Sequence, residues 1–593
     1  MDSFVAYPRG SLGPIRANWL PGTPAEVNPC ASPSKGRIDL MSQDPGSAHP
    51  GQGSEPVDRQ GVRRRQGGLV PPRWLLVFLL VCAVLVSVFW CTVPWGDFAI
   101  SNIVVLIVGF FGVVSLLIWF AFQSGYPRGL RVTVSVVCVL GIIAACMSVR
   151  VKRLSGNLVP DFVPRWSKSR DALLQESELY QGKVDLTSTS PLDFPQFLGP
   201  QRDQRVRGLR LARDWSTKPP KVVWRREIGA GWSAFSAVGG FAVTLEQRGP
   251  RELISCYDIR TGKLAWWHAE MVRFSEIRSG VGPRATPVID QGKVYALGAT
   301  GILVCLDGST GSVIWKTNVL EDVGTTVSLD EQTVPWGRSG SPLLVQGLVI
   351  VAGGGPTDGP WISLMAYDSR TGAEVWRVEG RQISYSSPQL AELDGLPQVL
   401  IVNEGTVSGH DVLTGEVLWE ENWFSSSSNQ AAASQPVPLQ GNKILLTKGY
   451  GLGAKLLELS RDDGGEWHVE ELWHNRRVLK TKLTNVCVRS GFIYGLNDGI
   501  LECVDLTDGK RCWRRGRFGH GQILLVDDLL LVQSEKGEVA LVEAQSERFR
   551  VLGKVQAVSG QTWNHLCLYG RFLLVRSDEE AACLELPLAE GLQ

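Results

Sequence analysis

The chain has 593 residues, and 60 basic side chains against 59 acidic ones leave it almost neutral. That balance excludes a protein that grips nucleic acid through bulk charge, and the length allows one large core with appendages.

Residues 1–72 are rich in Pro, Gly, Ser and polar groups and bury too little apolar surface to fold alone, so a disordered cytoplasmic tail is expected. Met41 is the only later Met in it, which leaves the start of translation open. Three apolar stretches follow, about 74–93, 98–122 and 132–149. Each approaches or exceeds the ~20 residues that cross a hydrocarbon core, and a cleaved signal peptide would not be followed by two more spans. Arg63, Arg64, Arg65 and Arg73 precede the first stretch, while residues 94–97 after it carry no positive charge. Arg128 and Arg131 lie between the second and third. This pattern places the N-terminus inside and everything after the third span outside the cytoplasm, on the periplasmic side of a multi-pass inner-membrane protein. Arg150, Lys152 and Arg153 point the other way, but the leading helix usually dominates. Within the third stretch, Ile143-Ala144-Ala145-Cys146 has the look of a bacterial lipobox, which would make Cys146 an acylation site. Its place far from the N-terminus favours ordinary small-residue helix composition. Residues 151–192 are polar without a clear period and read as a linker.

The remainder, 193–593, is organised by a phrase, Asp-x-x-Thr-Gly-x-x-x-Trp. It occurs as Asp258, Thr261, Gly262, Trp266; Asp307, Thr310, Gly311, Trp315; Asp368, Thr371, Gly372, Trp376; and Asp411, Thr414, Gly415, Trp419. A fifth copy, Asp505, Asp508, Gly509, Trp513, replaces Thr with Asp. Each Asp ends a strand-like run and each Trp sits in another, so the phrase predicts a tight hairpin turn in which Gly supplies a positive φ. Repetition at this spacing predicts a β-propeller, with the Trp packing each outer strand against its neighbour. Units fall near 233–267, 283–316, 338–377, 384–420, 432–474, 483–514 and 520–551. Two are degenerate: 459–473 lacks the Thr-Gly turn and 541–551 lacks the Trp. Residues 221–225 carry a Trp strand without a turn before it, and 572–575 with 582–586 are strands without a Trp after them. Joining these ends closes the ring and gives an all-β, eight-bladed propeller behind three membrane helices.

The repeat resembles that of the pyrroloquinoline-quinone (PQQ) type of propeller, over about residues 190–588. That group holds quinoprotein dehydrogenases and also non-enzymatic members of the BamB-like outer-membrane assembly type. The segment Asp193-Phe194-Pro195-Gln196-Phe197-Leu198-Gly199-Pro200-Gln201-Arg202-Asp203 is similar to the lead-in of many bacterial members, with departures at Leu198 and Gln204. The resemblance implies either a binding scaffold or a dehydrogenase that uses PQQ with Ca²⁺. Against the second stand the absence of an adjacent Cys pair, of a matching Glu, Asn and Asp set for Ca²⁺, and of Cys-x-x-Cys-His. The seven His residues show no ligand spacing, and no nucleophile elbow or phosphate loop occurs. Cys256, Cys305, Cys503 and Cys583 stand at one register in four blades and read as small buried residues.

No catalytic or metal residue is therefore expected, and no cofactor; the expectation is a protein-binding scaffold for envelope or outer-membrane proteins or peptides. Inner strands start at Thr286-Pro287, Ser341-Pro342, Ser387-Pro388 and Gln435-Pro436. Just before such starts lie Arg284, Arg338, Tyr385, Asn429, Gln430 and Lys482, with His520 and Trp563 in the last blades. Their convergence would make a basic, aromatic channel mouth suited to an acidic peptide or carboxylated ligand, with Arg284 and Arg338 side by side.

Overall fold

The computed structural model describes residues 69–92, 98–174, 178–425 and 430–589. The tail through residue 68, residues 94–97 and Asn429 lie outside them.

The three apolar stretches form helices α1 (Arg73–Thr92), α2 (Phe98–Ile118) and α3 (Arg128–Ser148), long and apolar enough to cross a membrane. A π-turn over Trp119–Gln123 extends α2. Helix α3 begins four residues earlier than the hydropathy boundary because Pro127 caps it and Arg128 starts its first turn. Exposed Leu80, Phe110 and Val137 mark apolar faces that no protein covers.

Strand β1 (Val149–Leu154) starts at the residue after α3 and pairs antiparallel with β2 (Pro160–Pro164). The expected linker is thus a strap laid over the propeller. Several of its charged residues, Lys152, Arg153 and Asp171 among them, bind the propeller, which is why periodicity missed it. Arg153 pairs with Asp161 on β2 and with Asp578 of the last blade, and Lys152 pairs with Glu579. Leu154 N donates to Ile277 O (3.1 Å) and Gly156 N to Glu535 Oε1 (2.9 Å). Asp171 accepts from Gly249 N (3.0 Å) and Arg273 (2.7 Å), and Tyr180 N donates to Leu264 O (2.8 Å). The start of α2 joins this contact: Asn102 donates to Asn157 O (2.9 Å), and the Arg517 guanidinium lies 3.8 Å over the Phe98 ring.

Eight antiparallel blades follow in ring order. Blade 1 has strands Ser236–Val238, Phe241–Arg248, Arg251–Asp258 and Leu264–Glu270. Blades 2 to 7 span 288–318, 343–379, 389–422, 437–475, 487–517 and 522–556. A short strand β3 (Arg205–Val206) adds in parallel to the inner strand of blade 7. Strand β4 (Lys221–Glu227) is the outer strand of blade 8, pairing with Glu580–Glu585, so the chain's two ends close the ring as expected.

The repeated phrase works through two neighbouring blades. Asp258 Oδ1 accepts from Thr261 N (2.7 Å) and Thr261 Oγ1 (2.6 Å), which folds the turn; Asp307, Asp368 and Asp411 repeat this. In the fifth copy Asp505 uses Thr507 instead. The Trp of one blade then lies on the turn glycine of the next. An added Cβ on Gly311, whose φ is +74°, would stand 2.6 Å from the Trp266 ring, and Trp266 Nε1 donates to Gly308 O (2.9 Å). Trp224, Trp315, Trp376, Trp473 and Trp513 likewise donate to carbonyls of the following blade. Blade 5 lacks the Thr-Gly turn, so Trp419 of blade 4 donates inward to Gln398 (2.8 Å). Cys256, Cys305, Cys503 and Cys583 are buried free thiols, each the register partner of a blade Trp.

Candidate functional site

The inner-strand starts form a circumferential clasp. Ala234 N donates to Thr286 Oγ1 (3.2 Å), Thr286 N to Ser341 Oγ (2.9 Å), Ser341 N to Ser387 Oγ (2.9 Å) and Gln435 N to Asn485 Oδ1 (2.9 Å). Small hydroxyl residues recur before Pro because each must accept a hydrogen bond from the preceding blade.

The lead-in segment fills the axis behind this clasp. Phe194 exchanges backbone hydrogen bonds with Ala237, and Ile289 N donates to Pro195 O (2.8 Å). Phe197 meets His565 edge-on, with ring centroids 4.7 Å apart. Arg202 spans two blades, donating to Pro342 O and Pro388 O (both 2.9 Å). Burial pushes its pKa down to about 9, because carbonyls and not a carboxylate surround it. Gln204, the departure from the lead-in pattern, donates to Ile523 O in blade 7.

The expected mouth residues do lie on the face of the strand starts, but the structure commits each to an internal partner. Arg338 is 2% exposed and ion-paired with Asp330 (2.8 Å), and it also donates to Gly353 O (2.6 Å). It is a core residue rather than half of an open anion clamp. The reason is the helical turn Val327–Thr333, which brings Asp330 under it and whose role the sequence did not disclose. Arg284 sits 4.2 Å over the Phe274 ring and donates to Ser279 Oγ (2.9 Å) and Gly280 O (3.0 Å); burial pushes it down to about 9. Tyr385 stacks on Trp336 at 4.9 Å. The Gln430 amide binds the Ser425 backbone, and Lys482 pairs with buried Asp498 (3.1 Å). His520 Nε2 lies 3.1 Å from Asn157 Oδ1 of the strap, and Trp563 Nε1 donates to Glu535 (3.0 Å) while packing on Trp232. Trp232, His520, Glu535 and Trp563 thus gather beneath the strap, and Arg284 adjoins them, since it and Trp232 both donate to Ser279 O.

Three further charged residues were missed because they lie on or beside second and third strands rather than before first ones. Burial raises Glu252 to about 7 and Glu404 to about 7, and lowers Lys448 to about 8. Lys448 donates to Gln430 O (3.0 Å). Among the described residues no three His, Cys, Asp or Glu side chains converge to hold a metal ion.

The strap covers the mouth over blades 7 and 8 and reaches the connection between blades 1 and 2. Elsewhere on that face the connections before blades 3 and 5 and within blade 3 expose Val327, Leu329, Phe424 and Trp361; Phe424 is 68% exposed.

A family profile described as outer membrane protein assembly factor BamB matches residues 250–515. The outer membrane protein assembly factor BamB of Xanthomonas campestris pv. campestris is 30% identical over 342 residues, covering 44% of this chain and 81% of that protein. The chain belongs to the BamB-like family of PQQ-repeat propellers. It is also similar to the 1-butanol dehydrogenase (cytochrome c) of Thauera butanivorans, 24% identical over 279 residues, 44% of this chain and 38% of that enzyme. The chain thus spans well under half the length of the alcohol dehydrogenase relatives it matches. Among solved structures, a europium-containing methanol dehydrogenase superposes with a TM-score of 0.51 at 11% identity, covering 67% of this chain and 99% of that one, a likeness of fold alone.

Proposed function

We propose that this BamB-like propeller is a membrane-anchored scaffold that holds envelope or outer-membrane proteins on the uncovered part of its mouth face. One observation carries the reading: the polar mouth residues are paired internally, while the uncovered rim exposes Leu329, Trp361 and Phe424. Apolar side chains exposed on a polar rim suit protein contact better than small-molecule chemistry. The anchor is read as three inner-membrane spans with the propeller on the periplasmic side. Arg73, Arg128 and Arg131 lie at the helix ends away from the propeller, supporting that orientation. Arg150, Lys152 and Arg153 argue the other way; Lys152 and Arg153 pair with Glu579 and Asp578, and Arg150 donates to Ser167 O.

A photo-crosslinking residue at position 424, used in gently solubilised membranes, tests this. The expected products are envelope proteins, and adding Trp361→Ser should weaken their capture. Products that are all lipid or absent would remove the scaffold reading.

The dehydrogenase relatives support a second reading, oxidation of alcohols with PQQ. The purified chain given PQQ and Ca²⁺ is expected to show no dye-linked alcohol oxidation; stoichiometric quinone binding with turnover would replace the scaffold reading.

A further inference from the structure

Helix α3 has 21 residues, a rod of ~31 Å at ~1.5 Å per residue, which matches the ~30 Å hydrocarbon core of a bilayer. Because β1 starts at the next residue, no slack separates the hairpin from the end of that rod. Strand β2 then returns to the same level: Val149 is the register partner of Pro164, and Arg165 N donates to Ser148 O at 2.9 Å. Trp166 therefore stands beside the last turn of α3, 75% exposed.

The two faces of the hairpin differ. Arg153 and its register partner Asp161 point to the face that Asp578 clamps to the propeller. Phe162, 57% exposed, and Pro164 lie on the opposite face of β2. Arg165 and Lys168 flank Trp166, both exposed, and neither has a carboxylate within ion-pair distance among the described residues. Arg150 donates to Ser167 O (3.2 Å), holding the turn against the strand.

We propose that residues 162–168 are seated in the phospholipid headgroup layer, with Phe162 and Trp166 at the apolar boundary and Arg165 and Lys168 on lipid phosphates. Trp favours this depth because its ring is apolar and its N–H finds polar partners there, and cations are drawn to anionic lipid. The turn thereby fixes the tilt of the propeller on the bilayer. This inference rests on the three helices crossing a membrane.

The test uses the full chain in nanodiscs of phosphatidylcholine and phosphatidylglycerol brominated near the headgroup. Subtracting the emission of Trp166→Phe from that of the unchanged protein isolates Trp166, and Trp90→Phe isolates an exposed residue of α1 in the same way. Trp166 emission is expected to fall about twofold relative to unbrominated lipid. Quenching of Trp90 without Trp166 would leave the spans standing and overturn the seated turn, which would then face water or a protein. Quenching of neither would overturn both. Arg165→Gln with Lys168→Gln should reduce Trp166 quenching in the anionic mixture to its level in phosphatidylcholine alone; an unchanged response would overturn the phosphate contact.

Discussion

Trp215, between the lead-in segment and β4, packs on Gly553 in blade 7, where a Cβ would stand 2.4 Å from the Trp215 Cβ. Gly553 is the register partner of Leu541, the place at which each of the other seven blades carries its own Trp. An indole supplied from elsewhere in the chain fills the gap.

Trp215→Ala should therefore cost ~3–5 kcal/mol although it lies outside every repeat. Adding Gly553→Trp to that variant should recover part of the loss, because it restores the blade's own indole. Chemical denaturation of both variants reads this, and a neutral Trp215→Ala would refute the substitution of one indole for another.

Gly311 and Gly208 both have positive φ, but only Gly311 also faces a ring. Gly208→Ala should lose about 1 kcal/mol through backbone strain alone. Gly311→Ala should lose roughly 2–4 kcal/mol, since Trp266 must also move. Equal losses in thermal melts would mean that the inter-blade contact carries little.

Arg338→Met strands the buried Asp330 carboxylate and should cost ~3–5 kcal/mol. The double variant with Asp330→Asn should recover much of it, the signature of a buried pair. Arg284→Ala, whose partners are a ring and backbone carbonyls, should cost less than Arg338→Met. Early melting of Arg338→Met with normal partner capture by its folded fraction would confirm a structural role.

Glu252 carries a pH dependence. Burial raises it to about 7, against the favourable Ala299 N–H and Arg284 and with the unfavourable Glu270. The folded state thus holds this proton more tightly than the unfolded chain. Its stabilising contribution is full below the ordinary carboxylate pKa of ~4.3 and is lost as pH rises through about 7. Glu252→Gln should flatten that part of the stability curve and gain on the order of 2 kcal/mol at pH 8. Denaturation across pH 5 to 8 measures it; no gain at the alkaline end would show the carboxyl to be better solvated.

The repeat made the architecture legible because turn and indole are local: Asp258 to Trp266 states a hairpin within nine residues. Ring closure was legible because β4 has a Trp and no turn before it. The mouth was only half legible. Position before an inner strand placed Arg284 and Tyr385 on the right face, but whether a side chain is free depends on partners distant in sequence. Asp330 under Arg338, Asn157 against His520 and Asp498 beside Lys482 leave no periodic trace. The strap was missed for the same reason, since ion pairs with Asp578 and Glu579 look like solvated charge until the chain is folded.

Closing blade 8 with β4 sets an order of assembly. During synthesis β4 emerges before the seven intervening blades, and its partner Glu580–Glu585 emerges after them. Until then β4 is an unpaired edge, and the Trp224 latch to Ile259 has no blade behind it. A chain truncated before residue 580 leaves β4 without its partner and both ends of the blade series open, so the ring cannot close until the strands of blade 8 have been made.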